Sequence, residues 1–227
     1  MKNGEFMTHR IRVWDLPTRI FHWALVLCIV ALIITGEIGT DILPWHFRFG
    51  YTVLSLLLFR IVWGFIGGRW SRFTSFVHRP STVLAYIRGQ GRPEHNVGHN
   101  PLGAGSVLAM LFFLLAQVGT GLFSDDEIAF SGPLTKFAAD ATVKLATTYH
   151  AEIGKVALIG LVLLHIAAIA YYRVKKQENL VPAMLHGDRE LDVPMDPSRD
   201  DVRSRCLAAL VFFLCAISVA SGVQLCN

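Results

Sequence analysis

The chain has 227 residues, 53% of them hydrophobic and only 17% charged, with a mean hydropathy of +0.46. That balance excludes an ordinary soluble domain, whose surface needs roughly 25% charged residues, and points to an integral membrane protein. The net charge of +4 and pI near 9.0 do not indicate nucleic-acid binding, because the basic residues sort by loop and form no cluster on a soluble domain.

Residues 1–19 (MKNGEFMTHRIRVWDLPTR) are polar, and no A-x-A-like cleavage site follows the first apolar run, so that run is expected to stay as a helix. A bilayer core about 30 Å thick calls for roughly 17 to 25 apolar residues per crossing. Five candidates follow in order, at about 20–36, 46–67, 102–123, 149–172 and 206–225. Open sheet edges cannot face lipid, so an all-α bundle is expected. GEIGTDILP, residues 36–44, reads as a short acidic turn with Gly36 and Pro44 as breakers. The longer basic stretch 67–101 contains PSTVLAYIR, expected to start a short interfacial helix at Pro80. Residues 173–205 are charged and contain proline, and are expected to form a loosely structured linker before the fifth span.

The segments 1–19, 68–101 and 173–205 hold sixteen Lys or Arg, against two in 37–45 and 124–148. By the positive-inside rule the first set is cytoplasmic, which puts the amino terminus inside and, after five crossings, the carboxyl terminus outside. The expected organisation is a cytoplasmic N-terminal segment (1–19), a four-helix core (20–172), a cytoplasmic linker (173–205) and a fifth transmembrane helix (206–227). Trp14, Trp23, Trp45, Trp63 and Trp70 fall near predicted span ends, as an aromatic belt. Cys28, Cys206, Cys215 and Cys226 form neither a CxxC pair nor a C-x-x-C-H motif and read as inert thiols.

Four histidines lie in or at the ends of the spans. An imidazole in hydrocarbon loses hydrogen bonds worth on the order of 2 to 7 kcal/mol unless it finds a partner. His150 and His165 are fifteen residues apart, which on a helix is about 22 Å of rise and about 60° of rotation beyond four turns. They share one broad face near opposite leaflets. His22 opens the first span on the cytoplasmic side, level with His165, and His46 opens the second span outside, level with His150. Zinc normally needs four ligands, and neither level offers two more. Haem iron needs only two axial nitrogens, so the pattern indicates two b-type haems, one between His22 and His165 and one between His46 and His150. Gly50, one turn after His46, leaves space for a flat macrocycle. Arg60, about 21 Å further along the second helix than His46, suits a propionate of the inner haem, Arg48 and Lys155 suit the outer one, and Arg19 and Arg69 flank the inner face. Snorkelling to lipid headgroups is the competing reading for these cations. His9, His78, His95, His99 and His186 lie in polar segments and read as solvated.

RVWDLPTRIFHW, HFRFG with the downstream FRIVWGF, HNPLG, TGLF and the two-histidine fourth span followed by ENLVPAMLHG together resemble bacterial cytochrome b561 proteins and the cytochrome b subunits of nickel-iron hydrogenases, over about residues 11 to 190. The resemblance implies a four-helix diheme core in the bacterial inner membrane that exchanges electrons with the quinone pool, with His22, His46, His150 and His165 at the ligand positions. Some members anchor a hydrogenase or another oxidoreductase, and others resemble superoxide oxidases that pass electrons from superoxide to ubiquinone. The acidic outer loops (Glu37, Asp41, Asp125, Asp126, Glu127 and Asp140 against Lys136 and Lys144) suit a basic soluble cytochrome c as redox partner. One departure is local: the fourth-helix histidines of the family are usually fourteen apart, and Ala151 looks like an extra residue here. Either a frayed helix start or a π-bulge at His150 would absorb it. A haem-free transporter using the histidines as a proton relay is the reading from another class, and a visible spectrum separates the two.

Overall fold

The computed structural model describes residues 8–226, apart from the side chain of Thr40; the first seven residues and Asn227, included above in the terminal segments, lie outside the described residues. Among the described residues, five helices are long and apolar enough to cross a membrane: α1 (Leu16–Ile38), α2 (Leu43–Ile66), α5 (Pro101–Gly121), the continuous run Asp140–Lys175, and α9 (Val202–Cys226). The spans are therefore those expected, and α2 is the most enclosed of them. Leu27, Leu163, Leu164, Leu214 and Ile217 are more than half exposed, as side chains that face lipid are. The helical run of the fourth span starts at Asp140, well before the expected position 149, because Asp140 itself opens a regular helix, α6 (Asp140–Thr148).

Side-chain chemistry sets the helix ends. Asp15 caps α1, its Oδ1 accepting the Thr18 N–H at 2.8 Å, with Pro17 in the first turn. Gly39, at a left-handed φ of 114°, ends the connection out of α1, and one 3₁₀ turn leads into α2. After α2 come a single turn, α3 (Phe73–Phe76), and α4 (Pro80–Ile87), the short helix expected from PSTVLAYIR, with Pro80 at its first position. Asn100 caps α5 by accepting the Gly103 N–H at 2.8 Å, and Pro101 follows it. In the loop before α6, one oxygen of Asp126 accepts the N–H groups of Phe130, Ala129 and Ile128, which holds its carboxyl below the usual range and supports the positive φ of 56° at Glu127.

Contacts divide the chain into two compact units: Met1–Ile20, Ile61–Val107 and Ala167–Ala209 form one, and Phe21–Arg60, Leu108–Ile166 and Leu210–Asn227 the other. In the first, residues 173–205 are not a loose linker. α7 (Lys155–Lys175) is followed by α8 (Val181–His186) and by β2 (Asp188–Leu191), which pairs antiparallel with β1 (His9–Arg12). Gly187, at a φ of 92°, turns between α8 and β2, and its carbonyl accepts the N–H groups of Val13 and Trp14. Ser198 then ties the strand after β2 down: its N–H donates to Arg12, its hydroxyl to Val13, and the Trp70 N–H donates to that hydroxyl. The cause of the misreading is that these bonds join residues more than 120 positions apart, whereas composition reports only on local order.

Three of the five tryptophans also depart from the belt reading. Trp14, Trp63 and Trp70 are buried, and only Trp23 and Trp45 are exposed. Trp14 and Trp70 pack with Val13, Val97 and Ala183, while the Trp63 Nε1 donates to Asp15 at 3.2 Å. The same carboxylate accepts the Gly68 N–H at 2.8 Å, so Asp15 is fully buried yet satisfied.

Candidate functional site

His22, His46, His150 and His165 all belong to the second compact unit. His46 and His150 come together with ring centroids 6.1 Å apart and planes at 85°. His46 Nδ1 lies 3.1 Å from the Leu32 carbonyl and 3.2 Å from Thr35 Oγ1, and His150 Nδ1 lies 2.8 Å from the Gln117 carbonyl. A carbonyl can only accept, so both Nδ1 atoms carry the proton and both Nε2 atoms present a bare lone pair. The Thr35 hydroxyl is itself committed to the Ala31 carbonyl at 2.7 Å, which leaves its lone pairs for His46. Two metal–imidazole bonds of roughly 2 Å and two ring radii of roughly 1 Å add to about 6 Å, the separation seen here. The pair therefore fits one metal ion held between two axial nitrogens, with the outer nitrogens fixed as metal-binding histidines usually are.

The extra residue in the fourth span is absorbed by a π-helix, Tyr149–Gly154, between α6 and α7. This settles the choice posed by the fifteen-residue spacing, because regular helix lies on both sides and the start is not frayed. Gln117 braces this turn, its Nε2 donating to the His150 carbonyl at 2.8 Å while its own backbone carbonyl takes the His150 ring. Gly121, one turn further along α5, is needed for close approach: a Cβ there would stand 2.7 Å from His150 Cε1. Gly36 plays a milder part against His46, at 3.3 Å.

His22 and His165 are both partly buried, and each lies close enough for the charge of one to act on the other. The His22 ring stands edge-on to Trp23 at 5.0 Å. Its Nδ1 is buried with no hydrogen-bond partner among the described residues. Arg60 is 3% exposed, an unusual depth for a guanidinium and one that marks functional positions in spans.

The remaining predicted residues divide. A Cβ at Gly50 would meet nothing within 4 Å, so open space does lie beside α2 there. Lys155 is engaged by Glu37 at 2.7 Å, and the Arg48 guanidinium lies over the Trp45 ring at 4.7 Å. Arg19 donates to the Leu185 carbonyl at 2.6 Å and approaches Asp200 at 3.9 Å, within the first unit, and Arg69 pairs with Asp196. Sequence reasoning passed over Gln117, Thr35 and Gly121; a lone glutamine in an oily span and the glycine of TGLF were the available signals. Among the described residues no group of three or more His, Cys, Asp or Glu side chains gathers as a metal cluster would require.

A helical membrane bundle with two half-buried histidine rings 6.1 Å apart is consistent with a membrane cytochrome of the b type. The sequence profile of prokaryotic cytochrome b561 matches residues 13–187, and the chain belongs to that family. It is similar to a probable Ni/Fe-hydrogenase B-type cytochrome subunit of Bradyrhizobium diazoefficiens, 28% identical over 79% of this chain and 86% of the relative. The probable Ni/Fe-hydrogenase 1 B-type cytochrome subunit of Escherichia coli K12 is 30% identical over 53% of this chain and 61% of its own length. A corresponding subunit of Azotobacter chroococcum is 27% identical over 79% and 88%. No solved structure gives a significant match. The protein is thus a multi-pass membrane b-type cytochrome whose work is electron transfer, and haem b is the group its family carries.

Proposed function

We propose that the protein holds two haems b, one between His46 and His150 and one between His22 and His165, and moves electrons across the inner membrane between the quinone pool and a redox protein. The observation that carries this reading is the His46–His150 pair, 6.1 Å apart with both Nδ1 protons committed to carbonyls. When bound, haem supplies a one-electron iron couple and takes its other four ligands from the porphyrin. The chain's part is to hold each imidazole in the right tautomer, to exclude water with apolar helix faces, and to place cations where propionates need them. Arg60, 3% exposed within the second span, is the cation this reading assigns to that last role.

The named relatives are subunits associated with hydrogenase, which favours an oxidoreductase docked to this chain as donor. The acidic loop with Asp125, Asp126 and Glu127 would equally receive a basic cytochrome c. The loop charges support an amino terminus in the cytoplasm and a carboxyl terminus in the periplasm. Haem extraction and quantitation on the purified chain, with its dithionite-reduced spectrum, tests the core of the reading. Two haems per chain with a low-spin split band are expected, and one haem or none overturns it.

A further inference from the structure

Past Arg203 and Arg205 at its start, the fifth helix carries no charge; it has no histidine, and the electron-transfer reading gives it no task. It nevertheless forms one wall of an open-sided crevice of about 480 Å³ within the second unit. Tyr51, Thr52 and Ser55 of α2 line the other wall, facing Phe212, Ala220 and Gln224 of α9. The Phe59 and Phe212 rings, 6.2 Å apart, set an antiparallel register between these helices. Tyr51, eight residues back from Phe59, is therefore level with Ala220, eight residues on from Phe212. From Phe212 to Gln224 the crevice extends about 18 Å, carbon-lined at the Phe212 end and polar toward Gln224.

The polar atoms are of two kinds. Thr52 Oγ1 donates to the Arg48 carbonyl and Ser55 Oγ to the Tyr51 carbonyl, both at 2.8 Å, so these hydroxyls have only lone pairs left to offer. The Tyr51 hydroxyl donates to no group among the described residues. The wall thus presents one free donor beside two acceptors. A carbonyl oxygen is suited to the first and a hydroxyl to the other two, and a lipid-soluble ring that alternates between carbonyl and hydroxyl uses both. An acyl chain uses neither. Tyr51 is about 7.5 Å of helix rise from His46 on the same helix, rotated about 140° around its axis.

We propose that this crevice is the head-group site for a quinone and its quinol, with Tyr51, Thr52 and Ser55 binding the ring oxygens and α9 covering the ring and the start of its tail. The proposal rests on the electron-transfer reading, which calls for a membrane-soluble redox carrier.

The test uses the full chain in nanodiscs, irradiated with an azido-benzoquinone bearing an isoprenoid tail and mapped by peptide mass spectrometry. Label is expected on the peptides containing Tyr51–Ser55 and Ala216–Gln224. Excess unlabelled quinone should displace it, and a fatty acid of equal length should not. Ala220→Trp, which fills the crevice from a lipid-exposed position, should cut labelling at least tenfold, and Tyr51→Phe should weaken it severalfold. Label elsewhere, equal displacement by the fatty acid, or full labelling of Ala220→Trp overturns the site. Haem content of the same preparations reports on the underlying reading separately, since labelling is read on the polypeptide and not through the iron.

Discussion

At the scale of single residues, the demand that the proposed diheme reading puts on His46 and His150 is a tautomer, and the atoms that set it are backbone carbonyls of other helices. Leu32 and Gln117 hold the Nδ1 protons, so side-chain substitutions there cannot abolish the bond directly, but the bracing around it can be removed. Gln117→Leu deletes the amide that donates to the half-buried His150 carbonyl, and a hydrogen bond of that kind contributes about 0.5 to 1.5 kcal/mol. Retention of the haem at that level is expected to weaken roughly 10- to 100-fold, as when the outer partners of metal-binding histidines are lost. Haem quantitation after dilution into excess apomyoglobin measures it, and unchanged retention would show that Gln117 is a packing residue only. Gly121→Ala should act more strongly, because its Cβ would sit 2.7 Å from the His150 ring, and that ring can move aside only by giving up its bond to the Gln117 carbonyl. Half of the haem is expected to be lost, with the spectrum of the His22–His165 site unchanged; full haem content would mean that the ring moves aside at no cost to ligation.

At the scale of elements, the fourth span shows what sequence can and cannot convey. His150, His165 and the hydropathy of the span were legible, because apolar runs and rare histidines are signals that each residue carries by itself. The way Ala151 is absorbed was legible only as a pair of alternatives, since the choice depends on a donor from another helix. The order in residues 173–205 was not legible at all. β2 is four residues long, and its partner strand and the Ser198 bonds lie at the other end of the chain. Burial of Trp14, Trp63 and Trp70 was missed for a related reason: nearness to a span end does not say whether lipid or a folded cap lies beyond it. The π-helix yields its own prediction. Deleting Ala151 restores a spacing of fourteen and removes the residue that forces the wider turn, so the span should close into continuous α-helix with His150 on the same face. The deletion variant is expected to keep both haems, because the ring stays on the face that meets His46. Loss of haem in the deletion variant alone would show that the π-turn itself aims the ring.

At the scale of the whole molecule, one carboxylate gathers the distant parts of the first unit. Asp200, with a side chain 6% exposed, receives Arg12 at 3.1 Å, the Leu16 N–H at 3.1 Å and Arg205 at 3.0 Å, so it joins β1, the start of α1 and the start of α9. Burial pulls its carboxyl upward, but the hydrogen bonds from Arg205 and the Leu16 N–H, with the charges of Arg205 and Arg12, outweigh it and hold the group below the usual range. A folded-state value below the unfolded one, which is about 3.9, means that the unfolded chain takes up protons first as pH falls. The stabilisation is therefore complete above about pH 4 and disappears as pH drops through the folded-state value. Asp200→Asn keeps the shape and removes the charge. It should melt at a lower temperature than the parent near pH 7 and should lose the part of the acid slope that Asp200 supplies, so the two melting curves converge as pH falls below about 4. Other carboxylates, Asp126 among them, titrate in the same window, so the informative quantity is the difference between parent and variant at each pH, at fixed ionic strength. A difference that stays constant from pH 7 to pH 3 would show that the network stabilises through shape and hydrogen bonding rather than through the ionised carboxylate.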